Sequence, residues 1–161
     1  MSSFKFTPEN EVKFQEYVSR YPVIDSVMLP ALWLVQEQEE WLSPEAMIYV
    51  ADRIGKTPIQ VYEVATFYTM FNLKPIGKYH IELCKTLSCM LCGSKELKKH
   101  MKDTLGIEPG QTSEDGMFTL SEVECQGACG DAPMIALNNV YHGKLTKEKL
   151  DKIIWEAKND N

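Results

Sequence analysis

All five cysteines of this 161-residue chain fall between Cys84 and Cys129, and the 83 residues before and 32 residues after contain none. They form two groups, Cys84-x4-Cys89-x2-Cys92 and Cys125-x3-Cys129. Thiols confined to two short stretches act together only if the fold sets two loops side by side. That requirement constrains the architecture more than any other feature of the chain. Four thiolates in two pairs suit tetrahedral zinc or an iron–sulfur cluster. Zinc knuckles usually enclose two residues, whereas Cys84/Cys89 and Cys125/Cys129 enclose four and three. Looser loops wrap a wider object, such as the rhomb of a 2Fe-2S cluster.

The neighbours of the cysteines agree with this. Gly93, Gly127 and Gly130 let the backbone turn its N–H groups towards sulfur, where amide dipoles offset the charge of a thiolate centre. Leu87, Met90 and Leu91 are expected to limit water access. The fifth thiol leaves an alternative open. Cys84, Cys89 and Cys92 match the first three ligands of the plant-type ferredoxin spacing, with Cys125 or Cys129 as the fourth. Spacing alone does not choose between the two.

Composition matters mainly for what it excludes. A net charge of −6 argues against nucleic acid as a partner, because phosphate binding needs a cationic face. No apolar run approaches the roughly 18 residues of a membrane span, so direct membrane insertion is not expected. No basic segment followed by an apolar run opens the sequence, so no secretory signal is visible. A cytoplasmic-type protein follows, in which clustered cysteines bind metal or do redox work more often than they form disulfides.

The first half carries repeated helix starts. Thr7-Pro8, Ser43-Pro44 and Thr57-Pro58 each pair an N-cap residue with proline at the first helical position. Asp25 or Ser26 is expected to cap a further helix running through Trp41, and Gly55 to stop the one begun at Ser43. Residues 1–75 therefore read as a helical bundle, with the boundary at Pro75-Ile76-Gly77. Residues 76–161 alternate strand and helix: a strand over 79–83, a helix over 94–105, and a strand over 117–123. A hairpin turning at Asn138-Asn139 and a closing amphipathic helix over 146–157 complete the pattern. The closing helix is expected to bury Leu150, Ile153, Ile154 and Trp155. The fold class expected is α+β, a helical bundle followed by a thioredoxin-like α/β ferredoxin domain.

Longer segments bring a resemblance. Leu32 to Leu42 (LWLVQEQEEWL), Pro58 to Phe71 (PIQVYEVATFYTMF) and Glu124-Cys125-Gln126-Gly127-Ala128-Cys129-x-x-Ala132-Pro133 resemble the thioredoxin-like 2Fe-2S subunit of NADH:quinone oxidoreductase. This is the NuoE family of respiratory complex I, and the likeness covers nearly the whole chain. It implies that Cys84, Cys89, Cys125 and Cys129 are the ligands of one 2Fe-2S cluster, the first pair on one iron and the second on the other. It implies one-electron transfer within a complex that oxidises NADH, and a partner subunit carrying FMN and the NADH site. It also implies a place in the peripheral arm of a membrane-bound complex, on the matrix side in a mitochondrion. This chain shows no nucleotide-binding glycine motif of its own. Equivalent subunits of NAD-linked hydrogenases and formate dehydrogenases belong to the same family. Cys92 sits where the family usually has no cysteine and is expected to be an inert, partly buried thiol.

Two readings of other classes compete. Cys89-Met90-Leu91-Cys92 has the spacing of a thioredoxin dithiol, and Pro133 would then stand at the cis-proline position. That leaves Cys84, Cys125 and Cys129 unexplained. A zinc-stabilised adaptor without redox chemistry is the other.

Overall fold

Thr7, Ser43 and Thr57 precede three of the four α-helices in the first half of the computed structural model, which describes residues 4–159. Thr7 Oγ1 accepts the Asn10 N–H at 3.2 Å and Ser43 Oγ the Ala46 N–H at 3.1 Å. At Thr57 the Gln60 side chain reaches back to accept the Thr57 N–H at 3.0 Å. These bonds satisfy amide groups that a helix start leaves unpaired. The helices are α1 (Pro8–Arg20), α2 (Met28–Glu39), α3 (Pro44–Ile54) and α4 (Pro58–Phe67). Gly55 closes α3 at φ +68°, a conformation glycine adopts without a Cβ penalty.

Packing divides the chain into two compact units between Pro75 and Ile76. The first is built on Phe14, Leu32, Leu34, Val35, Leu42, Val50 and Val61, all buried. Arg53 joins α3 to α1. Its guanidinium donates to both carboxylate oxygens of Glu11 at 2.6 Å and lies 4.4 Å from the centre of the Phe14 ring. The bond from Arg53 is the main reason the Glu11 carboxyl is held down to about 2.

One helix start differs from expectation. Neither Asp25 nor Ser26 caps α2; a 3₁₀ turn over Ile24–Val27 leads into it, with no side-chain cap. Asp25 instead pairs with Lys56 at 2.7 Å.

The second unit is a five-stranded sheet in the order β2-β3-β1-β4-β5. Its strands are β1 (Tyr79–Cys84), β2 (Gln111–Thr112), β3 (Phe118–Val123), β4 (Ile135–Leu137) and β5 (Val140–His142). β1 and β3 run parallel, from Tyr79 opposite Phe118 to Cys84 opposite Val123, and the remaining pairs are antiparallel. Parallel neighbours need a crossover, and it contains a short helix, α5 (Leu87–Leu91), followed by α6 (Ser94–Leu105). Leu97 and Met101 of α6 join Leu150 and Ile154 of α7 (Lys147–Asn159) in a core with Ile81, Leu83, Phe118, Leu120 and Ile135. Asn138 and Asn139 turn the β4–β5 hairpin at φ +46° and +67°, the left-handed pair that a tight two-residue turn requires.

Trp155 corrects one expectation, being 65% exposed. The buried stripe of α7 is Leu150, Ile154 and Ala157. Residue 155 is five positions beyond Leu150, or about 140° around the helix from it, and so lies off that stripe.

Candidate metal centre

Because β1 and β3 are parallel and end in register at Cys84 and Val123, both cysteine segments leave the sheet at the same end. β1 delivers Cys84 as its last residue. The short helix α5 follows and carries Cys89. β3 runs out through Glu124 into the Cys125–Cys129 loop, and a 3₁₀ turn over Cys129–Asp131 returns the chain towards β4. A Lys85–Glu124 ion pair at 3.1 Å links the two exits.

The two pairs differ in environment. Cys84 and Cys89 are buried and pack with Met134 in a small cluster of their own, edged by Ala128 and Ala132. Cys125 and Cys129 are exposed, and their sulfurs lie 3.6 Å apart. Two thiolates on one tetrahedral metal, with metal–sulfur bonds of about 2.3 Å, sit roughly 3.7 Å from each other. The Cys125/Cys129 pair already has the separation of ligands that share a metal. Cys84 and Cys89 lie together in that buried cluster. Among the described residues no group of three or more His, Cys, Asp or Glu side chains is set to hold a single ion; the sulfurs come together in pairs.

Hydrogen-bond donors surround these sulfurs. The Gly127 N–H donates to Cys125 Sγ at 3.4 Å, with Gly127 at φ +79°. The Thr86 hydroxyl lies 3.2 Å from Cys84 Sγ. Burial raises the Cys84 thiol, but the bonds from Thr86, Cys89 and Gln126 outweigh it and leave a net lowering. Cys89 is pushed up to about 11, first by burial and then by its bond to Cys84. The Gly127 N–H, followed by the Cys129 thiol, lowers Cys125. Cys125 therefore carries a backbone donor and Cys84 a side-chain hydroxyl, groups that suit anionic sulfur.

The four cysteines expected as ligands thus lie in two segments that leave one end of the sheet. Cys92 does not share their surroundings. It caps the C-terminus of α5 and is exposed, which corrects the expectation of a partly buried thiol. Leu87 and Leu91 are exposed as well, at 65% and 76%, so they do not shield the site within this chain. The Ala132–Pro133 peptide is cis. Thr86 and Met134 are parts of the site that the cysteine spacing does not reveal. The cue for Thr86 is its place two residues after Cys84, at the start of a helix.

Residues 14–158 match the family model described as thioredoxin-like 2Fe-2S ferredoxin. The E subunit of NADH-quinone oxidoreductase from Rickettsia conorii is 44% identical over 163 residues, covering 99% of this chain and 98% of that protein. The E 2 subunit of NADH-quinone oxidoreductase from Rhizobium meliloti is 46% identical over 136 residues, covering 84% and 81%. Among solved structures, NAD+-reducing NiFe-hydrogenase in the H2-reduced state superposes with a TM-score of 0.73 at 22% identity. That match covers 83% of this chain but spans only 22% of the hydrogenase chain, and it shows a shared fold.

Proposed function

The chain belongs to the thioredoxin-like 2Fe-2S ferredoxin family, among the E subunits of NADH-quinone oxidoreductase, and from that premise we propose that Cys84, Cys89, Cys125 and Cys129 hold one 2Fe-2S cluster serving one-electron transfer. The observation that carries this reading is the 3.6 Å separation of the Cys125 and Cys129 sulfurs, beside a second, buried pair at the end of the neighbouring parallel strand. When bound, the cluster supplies a carrier for single electrons at a potential set by its surroundings.

The residues of this chain bind the group and set its environment. The buried pair anchors one side among Met134, Ala128 and Ala132. The exposed pair leaves the other side near the surface, where an electron crosses to a partner over a short distance. The N–H group of Gly127 on Cys125 offsets the negative charge that rises on reduction.

The partner in this reading is the subunit that carries FMN and binds NADH. Hydride chemistry belongs to that flavin, and this chain exchanges electrons with it one at a time. No helix among the described residues is long and apolar enough to cross a membrane, so a position in the peripheral arm of the complex relies on docking. The fold shared with an NAD+-reducing hydrogenase favours one second reading, an equivalent subunit of an NAD-linked hydrogenase. The identities to quinone-linked relatives, at 44% and 46%, favour the first.

Mixing this protein with the flavin-bearing subunit and adding NADH tests the reading. Reduction followed by EPR is expected only when both subunits are present. Reduction by NADH without the flavin-bearing partner, or none with it, contradicts the assignment.

A further inference from the structure

Thr86 occupies the N-cap position of α5 with φ −82° and ψ 173°. A threonine there ordinarily turns its hydroxyl oxygen to accept an N–H from the first turn. Thr7 and Ser43 do so at α1 and α3. Thr86 makes no side-chain cap bond. Its carbonyl still accepts the Met90 N–H at 2.8 Å, so the helix begins without help from the hydroxyl. The hydroxyl lies instead 3.2 Å from Cys84 Sγ.

A metal-bound thiolate carries no proton, so between Thr86 and Cys84 only the hydroxyl has one to give. A four-thiolate 2Fe-2S centre carries about −2 when oxidised and about −3 when reduced, and hydrogen bonds to its sulfurs help set its potential. A fixed donor binds the more negative state more strongly. Building on the cluster assignment above, we propose that Thr86 is a positioning residue whose hydroxyl donates to the Cys84 sulfur and favours the reduced cluster.

The test compares wild type with Thr86→Val, which keeps the shape and removes the O–H, and with Thr86→Ser, which keeps the O–H. Iron and acid-labile sulfide are measured first, then the midpoint potential by EPR-monitored titration, then deuterium couplings after exchange into D2O. With Thr86→Val the reduced-to-oxidised ratio at fixed potential is expected to fall about tenfold, equivalent to about 59 mV for a one-electron couple. One exchangeable-proton coupling should vanish with it. Thr86→Ser should restore both. A fully loaded Thr86→Val protein with unchanged potential and couplings overturns the inference. If the valine variant does not load, Thr86→Ala takes its place under the same two outcomes. Loading of the serine variant alone would support the proposal, because the hydroxyl would then be required for the pairs to bind at all. Wild-type protein that holds no iron or sulfide would instead overturn the cluster assignment on which the inference rests.

Discussion

The sulfurs of Cys125 and Cys129 stand 3.6 Å apart at the surface, in contact yet unbonded, since the sulfurs of a disulfide lie at about 2.0 Å. Their counterparts Cys84 and Cys89 are 2% and 1% exposed. Single serine substitutions follow from this division. Replacing Cys84, Cys89, Cys125 or Cys129 is expected to lose or disrupt the cluster, whereas Cys92→Ser retains it, as judged by iron and sulfide content. Loss in Cys92→Ser with retention in one of the other four would point to the plant-type set of Cys84, Cys89 and Cys92.

Gly143 lies beyond β5, yet it bears on the site. A Cβ at that position would fall against Asp131 Cβ and 2.8 Å from the Asp131 carbonyl oxygen. That carbonyl also accepts the Lys144 N–H at 2.6 Å. Asp131 closes the turn that starts at Cys129, so Gly143→Ala must push the Cys129 end of the loop. We expect it to reduce iron occupancy while leaving far-ultraviolet circular dichroism intact. Full occupancy would show that the loop yields without cost.

How legible was all this in the sequence? The helix starts at Thr7 and Ser43 and the stop at Gly55 are local chemistry, and they form where the residues dictate. α5 has five residues and β2 only two, too few for a periodic signal. β2 exists because Gln111 and Thr112 pair antiparallel with Leu120 and Thr119 across a short local turn, and its two exposed polar residues carry no strand pattern of their own. The cysteines stand out by their clustering, the choice of four among the five comes from the family resemblance, and their division into a buried and an exposed pair is not legible in the sequence. Burial depends on Met134, Ala128 and Ala132 arriving from a later segment. Lys95, Lys98, Lys99 and Lys102 share a helical stripe by sequence, yet Lys98 pairs with Glu122 of β3 and Lys102 with Glu108.

Glu11 and Arg53 give a pH dependence of known sign. The Glu11 carboxyl ordinarily titrates near 4.5 and is held at about 2, chiefly by its bond from Arg53. A lowered folded value stabilises the fold above the unfolded value and is lost as pH falls towards the folded one. The pair is partly exposed, so its worth is about 1 kcal/mol at neutral pH. The gap in urea midpoint between wild type and Glu11→Gln should be largest above about pH 5 and should close progressively towards about pH 2. A gap constant across that range would contradict the assignment.

Gln126 Oε1 is buried without a hydrogen-bond partner among the described residues. Leaving such an atom unpaired costs about 1–3 kcal/mol, and replacing it with an apolar group removes that cost. Gln126→Leu is therefore expected to raise the melting temperature of the loaded protein. A lower melting temperature would show that the side chain has a partner that matters.

The most direct measurement is low-temperature EPR of dithionite-reduced protein prepared anaerobically, with iron and acid-labile sulfide quantified on the same sample. Two thiolate pairs gripping one cluster predict about two irons and two sulfides per chain and an S = 1/2 signal accounting for one electron. One zinc per chain, with no sulfide and no paramagnetic signal after reduction, would contradict it.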